Sequence, residues 1–144
     1  MTTEIKQLPL SEGLKKKIYE GFARHAISMI GHNEIHKPVA FIANDQENFA
    51  GAVVVDLFWG ALHIKYVYVE DEYRGQGIGT QLMEKAFQYG RENQCPFAFV
   101  ETMSFQASDF YQKIGFQLEF TRSGYKYNTA FHYLRKNLSK EQNL

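Results

Sequence analysis

The chain has 144 residues, a typical length for one domain, and we expect a single domain over residues 1–144. Its 16 Lys and Arg balance 16 Asp and Glu, so the formal net charge of zero disfavours nucleic acid and anionic membranes as partners. The single cysteine, Cys95, excludes an internal disulfide and a cysteine-rich zinc site. No segment has the apolar core of a signal peptide or the run of about 20 apolar residues needed to span a bilayer, which predicts a cytoplasmic protein.

An amphipathic helix is predicted near the start of the chain, over residues 10–31. Apolar residues recur there at intervals of four: Leu14, Ile18, Phe22, Ala26 and Ile30. This spacing places them on one helical face, which we expect to cover an apolar surface.

Three consecutive antiparallel strands are predicted near residues 38–44, 48–58 and 61–69. These segments are rich in β-branched and aromatic residues. Asn44-Asp45 and Trp59-Gly60 lie where the two hairpin turns would fall.

A second helix is predicted after the glycine-rich stretch YRGQGIGT, and we expect it to end near Glu92. PFAFVETM, residues 96–103, is then a short buried strand. A strand–helix–strand order requires a crossover, so this strand should run parallel to the strand at 61–69.

The rest of the chain is predicted to contain a short helix and a strand pair. The helix covers residues 105–114, with Gly115 as its C-terminal stop. The segments GFQLEFTRS and YNTAFHYLRKNL form the strand pair, and the polar LSKEQNL is expected to fray.

Three glycines mark the junction between the third strand and the second helix, at Gly75, Gly77 and Gly79. Glycine weakens a helix by about 1 kcal/mol relative to alanine, so their presence needs a reason. The unpaired N–H groups of a helix N-terminus, together with the helix dipole, form an anion site that glycines leave open. We therefore interpret residues 74–80 as a phosphate-binding loop.

Other glycine loops fit this stretch less well. A Walker loop requires Lys-Ser or Lys-Thr after its last glycine, but Thr80-Gln81 follows Gly79. A dinucleotide fingerprint requires GxGxxG at the start of a βαβ unit, whereas this GxGxG follows three antiparallel strands. A turn that merely packs a helix on a sheet stays open as an alternative.

The sequence resembles the GNAT family of N-acetyltransferases. Arg74-x-x-Gly77-x-Gly79 matches the R/Q-x-x-G-x-G/A signature of that family, and FYQKIGF at 110–116 resembles its second motif, at the usual separation. The resemblance covers nearly the whole chain. It implies an α/β (α+β) fold with a mixed, mostly antiparallel sheet of about six to seven strands flanked by helices, splayed between the strands at 61–69 and 96–103.

The resemblance also implies a binding site for acetyl-coenzyme A as co-substrate, without a metal. The residues expected to bind the pyrophosphate through backbone amides are Arg74, Gly75, Gln76, Gly77, Ile78, Gly79 and Thr80. Those expected to contact the pantetheine arm are Val67, Tyr68 and Val69 on one wall and Thr102 and Met103 on the other. The Val69 amide would polarise the thioester carbonyl. Ser104 stands where many members have an asparagine that contacts the pantetheine, and Asp71 replaces a common proline.

The resemblance implies a proton donor as well, and the residues suggest proton acceptors. Tyr111 corresponds to the tyrosine that protonates the departing thiolate, although a place in the core is the alternative. Glu101 is the first candidate for the base that accepts the amine proton, and Glu70 is the second, with a solvated carboxylate as the alternative for each. His63 could accept a proton or be structural. His25, His32, His36 and His132 show no metal-ligand spacing.

The leading hypothesis is an acetyl-coenzyme A-dependent N-acetyltransferase, in which a primary amine attacks the thioester directly in a ternary complex. Cys95 lies away from both motifs, so a covalent acetyl-enzyme is not expected. A small-molecule amine is the expected acceptor. A peptide N-terminus or lysine, a non-catalytic acyl-coenzyme A sensor, and assembly as a homodimer stay open.

Overall fold

The computed structural model describes residues 2–34 and 36–139, and the two parts of the chain are taken separately. In the first part, helix α1 spans Glu12–Ile30, which confirms the helix predicted at 10–31. Ser11 caps its start, because the Ser11 Oγ accepts a hydrogen bond from the Leu14 N–H at 3.1 Å. Gly31 ends the helix in the left-handed conformation, with φ +78°.

The second part is a six-stranded sheet with two helices. Its elements are β1 (Val39–Asp45), β2 (Asn48–Phe58), β3 (Ala61–Val69), α2 (Ile78–Glu92), β4 (Phe97–Met103), α3 (Ser108–Lys113), β5 (Gln117–Tyr125) and β6 (Thr129–Asn137). The strand order is β1-β2-β3-β4-β6-β5, and β3 with β4 is the one parallel pair. The predicted fold class and strand directions are thereby confirmed.

Strands β3 and β4 separate part of the way along their length, as predicted. Leu62, His63 and Ile64 of β3 pair with residues 98–100 of β4, and no later residues of the two strands pair. We call this point, just beyond Ile64 and Val100, the fork. It leaves one edge of β3 without a strand partner over residues 65–69.

The core lies between the sheet and α2. The fully buried side chains of α2 and of the sheet include Met83, Ala86, Phe87, Val53, Val55, Leu62, Ile64 and Leu134. Gly90 allows α2 to approach the sheet, because a Cβ there would lie 3.0 Å from the side chains of Leu62 and Leu138. This packing fixes the N-terminus of α2 beside the end of β3.

The structure differs from the sequence prediction at three places. The first hairpin turns at Gln46-Glu47 rather than at Asn44-Asp45, because Asn44 and Asp45 pair with β2 as the last residues of β1. The short helix starts at Ser108 rather than near residue 105, because the Gln106 side chain turns back and accepts a hydrogen bond from the Met103 N–H at 2.9 Å. The prediction of a frayed LSKEQNL is wrong for Leu138, which is 2% exposed and donates its N–H to the Pro96 carbonyl at 2.8 Å. Residues 140–144 of that segment lie outside the described residues.

None of the helices in residues 2–34 and 36–139 is both long and apolar enough to cross a membrane.

Candidate functional site

Backbone N–H groups on the unpaired edge of β3 point into the gap that opens between β3 and β4 beyond the fork. The Glu70 N–H donates to the Ala50 carbonyl on β2 at 2.8 Å. Alternate residues of a strand point their N–H groups to opposite edges, so Val67 and Val69 direct theirs away from β2. Two backbone amides are thus available to a ligand in the gap.

The glycine loop that follows β3 presents a further set of free donors. Gly75 and Gly77 have φ of +79° and +81°, a conformation that favours glycine, and Gly77 is the N-cap of α2. Within the described residues, the backbone N–H groups of residues 75–80 donate to no other group. The Arg74 amide, by contrast, already donates to the Asp71 carbonyl at 3.3 Å. Arg74 is therefore removed from the predicted set of backbone donors to the phosphates.

The three positions of the loop require glycine for different structural reasons. A Cβ at Gly75 or Gly77 would meet no atom within 4 Å, so there is open space next to this backbone. A Cβ at Gly79 would lie 3.3 Å from the ring of Phe110. The last glycine therefore also serves the packing of α2 against α3, the alternative that the sequence left open.

A cavity of about 680 Å³ joins the loop to the end of β3. It is lined by Val67, Tyr68, Val69, Tyr73, Arg74, Gly75, Gly77, Ile78, Gly79, Thr80, Phe105, Gln106, Ala107 and Phe110. The volume lies within the range of about 300–1,000 Å³ that ligand sites occupy. Nearly all of the predicted loop and strand residues lie in this wall.

Arg74 ties the loop to the strand. Its Nε donates to the Val69 carbonyl at 3.1 Å, and its Nη1 lies 3.2 Å from Asp71 Oδ1. The guanidinium therefore lies at the wall of the cavity, where its positive charge favours an anion.

Two residues that were predicted to contact the cofactor from the opposite wall, Thr102 and Ser104, instead contact other groups of the protein. Thr102 is buried, and its hydroxyl lies 3.4 Å from Gln106 Oε1. Ser104 Oγ accepts a hydrogen bond from the Ala130 N–H at 3.0 Å, which joins β4 to β6. Phe105 and Gln106 line the cavity instead. Sequence reasoning missed them because it assigned Phe105 to the helix.

Tyr111 lies with its ring in the core. The residue is 6% exposed, and its ring forms edge contacts with Phe110 and Phe116 at centroid distances of 5.4 and 5.6 Å. Burial raises the pKa of Tyr111 to about 12. The residue is not in the cavity wall, although its neighbour Phe110 is, and its role as proton donor stays a prediction.

The proton-acceptor candidates lie apart from one another. Glu101 and His63 meet at the fork, where Glu101 Oε2 lies 2.8 Å from His63 Nε2. Glu70 instead accepts a hydrogen bond from the Tyr68 hydroxyl at 3.3 Å, and its negative charge raises the pKa of Tyr68. The sequence singled out Glu101 and His63 separately, and the sheet brings them together.

Glu101 also borders a second cavity, of about 410 Å³, whose walls are largely aromatic. It is lined by Phe58, Trp59, Ala61, Phe97, Phe99, Val100, Glu101, Glu119, Tyr133, Leu134 and Arg135. Aromatic faces and carboxylates together favour a cationic group. This cavity offers room for an amine beside Glu101.

Cys95 and the clustering of possible metal ligands bear on cysteine and metal chemistry. Cys95 is buried, and burial raises the pKa of its thiol, which disfavours the nucleophilic thiolate. Residues 2–34 and 36–139 contain no group of three His, Cys, Asp or Glu side chains arranged to hold a metal ion.

Comparison with known proteins identifies relatives of this architecture. A model of the acetyltransferase (GNAT) family matches residues 9–116. The blasticidin-S acetyltransferase of Streptomyces morookaense is 32% identical over 99 residues, which cover 68% of this chain and 73% of that protein. The crystal structure of an acetyltransferase from Bacillus cereus superposes with a TM-score of 0.80 at 21% identity, covering 94% of this chain and 97% of that one.

A further solved relative holds the expected co-substrate. It is a Bacillus anthracis protein assigned as a streptothricin acetyltransferase, in complex with acetyl coenzyme A. The TM-score is 0.65 at 23% identity, over 72% of this chain and 64% of that one. The family match, the close relative and the shared fold agree with the loop and fork described above. This chain belongs to the GNAT family of acetyltransferases.

Proposed function

We propose that this chain transfers an acetyl group from acetyl-coenzyme A to a primary amine, by direct attack of the amine in a ternary complex. One observation carries the proposal: free backbone N–H groups at the N-terminus of α2 open into a cavity that extends along the end of β3 as far as Val67. Family membership and the acetyl-coenzyme A complex of the Bacillus anthracis relative support the identity of the co-substrate.

The loop residues would hold the pyrophosphate of the co-substrate. The amides of residues 75–80 and the positive end of the α2 dipole suit a doubly charged anion, and Arg74 adds a cation at the same wall. Since Gly75 and Gly77 leave open space, phosphate oxygens can approach the backbone directly.

The unpaired edge of β3 would hold the pantetheine arm and the thioester. Acetyl-coenzyme A supplies an acetyl group activated by a thiol leaving group. The Val67 and Val69 amides face the gap. Val69 is proposed to donate to the thioester carbonyl, where negative charge develops as the amine attacks.

Proton transfers are assigned to Glu101 and Tyr111. The attacking nitrogen must lose a proton, and Glu101 lies at the fork beside the aromatic cavity. Of all N and O atoms in the described side chains, only Asp56 Oδ1 is both fully buried and without a hydrogen bond. The Tyr111 hydroxyl therefore keeps contact with solvent, and we propose that it donates a hydrogen bond to the departing thiolate. With a pKa of about 12 it is a weak acid, so this contribution should be small.

A small amine is the proposed acceptor. The Streptomyces relative is named for a small molecule, blasticidin S, and the aromatic cavity beside Glu101 has the size of a small-molecule site. A peptide acceptor would need an open groove, and a sensor would bind acyl-coenzyme A without turnover. Both alternatives remain outcomes of the test below.

The test is a turnover screen. The purified protein is mixed with acetyl-coenzyme A and a panel of small amines, including aromatic amines and aminonucleosides, together with peptides that carry a free N-terminus or lysine. Thiol release is followed by absorbance, and each product is identified by mass. Acetylation of a small amine above the rate of thioester hydrolysis supports the proposal. Acetylation of peptides alone favours a protein-modifying enzyme, and tight binding without any product favours a sensor.

A further inference from the structure

We propose that Gln106 binds the pantetheine arm of the co-substrate, by donating a hydrogen bond from its side-chain amide to a carbonyl group of that arm. The proposal rests on the proposed function, because it assumes that acetyl-coenzyme A occupies the cavity beside β3. It adds one side-chain donor to the backbone donors of β3 and the glycine loop.

Met103, the last residue of β4, turns its backbone groups toward the gap between β3 and β4. The next residue, Ser104, donates its N–H to the Ala130 carbonyl on β6 at 2.8 Å. Since successive residues of a strand direct their N–H groups to opposite edges, the Met103 N–H points away from β6. It faces the gap from the β4 side, as the Val67 and Val69 amides do from the β3 side.

Gln106 occupies both of these backbone groups of Met103. Its Oε1 accepts a hydrogen bond from the Met103 N–H at 2.9 Å, and its own backbone N–H donates to the Met103 carbonyl at 2.9 Å. The backbone of Met103 is therefore not available to a ligand in the gap. Gln106 lines the cavity, whereas Met103 does not, so a ligand meets the Gln106 side chain in place of the β4 backbone.

The hydrogen bond to Met103 also determines which end of the Gln106 carboxamide is free. Only the oxygen of a carboxamide can accept the Met103 N–H, so the NH2 group is the other end. The Thr102 hydroxyl lies 3.4 Å from the same oxygen and leaves the NH2 group untouched. Within residues 2–34 and 36–139, no group accepts a hydrogen bond from this NH2. It is left as a donor for a ligand.

The other polar side chains of this segment do not line the cavity. Thr102 is buried, and Ser104 Oγ accepts a hydrogen bond from the Ala130 N–H at 3.0 Å. Of residues 102–106, only Phe105 and Gln106 are in the cavity wall, and Phe105 is apolar. Gln106 is thus the polar side chain that this segment contributes.

The surroundings of Gln106 favour a neutral acceptor over a phosphate. Arg74 and the free amides of the glycine loop are the groups of the cavity that suit an anion. Gln106 instead neighbours Phe105 and Ala107 in the wall, and its NH2 group is uncharged. A single neutral donor among apolar groups orients a mostly apolar ligand that carries a carbonyl. The pantetheine arm, an extended chain with amide groups, has this chemistry.

Gln106→Glu separates the structural contact of the side chain from its contact with the ligand. One carboxylate oxygen can still accept the Met103 N–H, but the other replaces the NH2 donor by an acceptor. An acceptor that faces a carbonyl is unfavourable, so the affinity for coenzyme A in calorimetry should fall about tenfold or more. Hydrogen exchange of the Met103 amide should stay as slow as in the wild type, because its acceptor is kept.

ADP is the control ligand, because it has the pyrophosphate of coenzyme A and lacks the pantetheine arm. At about 0.15 M salt, charges more than about 8 Å apart are largely screened, so Gln106→Glu should bind ADP as the wild type does. Gln112→Glu is the matched control variant. It makes the same change on α3, and Gln112 does not line the cavity. It should bind both ligands with wild-type affinity.

A measurement on the wild-type protein needs no variant. The side-chain amide signal of Gln106 in NMR should shift when coenzyme A is added and stay in place when ADP is added. Should Gln106→Glu fail to fold, this comparison decides. Wild-type affinity for coenzyme A in folded Gln106→Glu, an equal loss for ADP, or a Gln106 signal that does not respond to coenzyme A would overturn this role of Gln106 while leaving acetyl transfer in place. A wild type that binds no coenzyme A would contradict the proposed function itself.

Discussion

Gly51 and the Tyr68 carbonyl lie so close across β2 and β3 that a Cβ on Gly51 would be 2.6 Å from the Tyr68 oxygen and 3.2 Å from Val69 Cα. The glycine thus sets the position of the edge of β3 that faces the gap. Glycine within a strand often marks such a close backbone approach.

Gly51→Ala should therefore lower both stability and co-substrate binding. Overpacking of this kind costs about 1–3 kcal/mol, which denaturant unfolding would measure. Displacement of Tyr68 and Val69 should also weaken acetyl-coenzyme A binding in calorimetry. Gly13→Ala in α1, where a Cβ meets nothing within 4 Å, is the control and should cost no stability. Unchanged stability in Gly51→Ala would show that the strands can separate without strain.

Glu101→Gln should lower turnover with little change in co-substrate affinity. The amide keeps the shape and can still accept a hydrogen bond, but it takes up no proton, so kcat should fall about 100-fold. Glu70→Gln is the comparison, because Glu70 was the second candidate and contacts the Tyr68 hydroxyl instead. A larger loss in Glu70→Gln than in Glu101→Gln would reverse the assignment.

Tyr111→Phe should lower kcat only modestly. The substitution keeps the ring contacts with Phe110 and Phe116 and removes the hydroxyl alone. General acids contribute about 100-fold or more when their pKa is well matched, but the pKa of about 12 places this phenol far from neutral, so we expect a loss of about tenfold. Full activity would mean that water protonates the thiolate. A parallel loss of melting temperature and co-substrate binding would mean that the hydroxyl is structural.

Cys95→Ala should leave the kinetic mechanism unchanged. The thiol is buried with a raised pKa, so it is a poor nucleophile, and direct attack needs no acetyl-enzyme. Initial rates at varied concentrations of both substrates should give intersecting lines, as expected for a ternary complex, in wild type and variant alike. Parallel lines, or loss of turnover in a folded variant, would point to a covalent intermediate.

The sequence predicted the fold class and most helices and strands because their signals are local. Apolar spacing fixes α1 and α2, and the glycines with positive φ at Gly75 and Gly77 are a backbone requirement visible in the sequence. Contacts between distant segments were not predictable in this way. The packing of Gly79 on the Phe110 ring is one example, and the hydrogen bond from the Ala130 N–H to Ser104 Oγ is another.

The contact between Glu101 and His63 shows the same limit. Glu101 and His63 were each singled out by residue type, but their 2.8 Å contact depends on the register of a parallel strand pair, which no local pattern encodes. Asp56 gave no signal at all in the sequence. Its Oδ1 atom is buried without a hydrogen bond, 3.7 Å from His63 Nδ1, a placement that follows from the pairing of β2 with β3.

The central claim is that the loop at the N-terminus of α2 binds acetyl-coenzyme A, and calorimetric titration of Gly77→Glu tests it most directly. Gly60→Glu is a matched control, because Gly60 and Gly77 have φ of +85° and +81° and a Cβ at either meets nothing within 4 Å. The strain of a side chain at positive φ is therefore the same in both variants, but only Gly77 lines the cavity. We predict that Gly60→Glu binds acetyl-coenzyme A as the wild type does, while folded Gly77→Glu loses at least about 100-fold in affinity, since a carboxylate would stand where the phosphates bind. Equal affinity in the two variants would contradict the account.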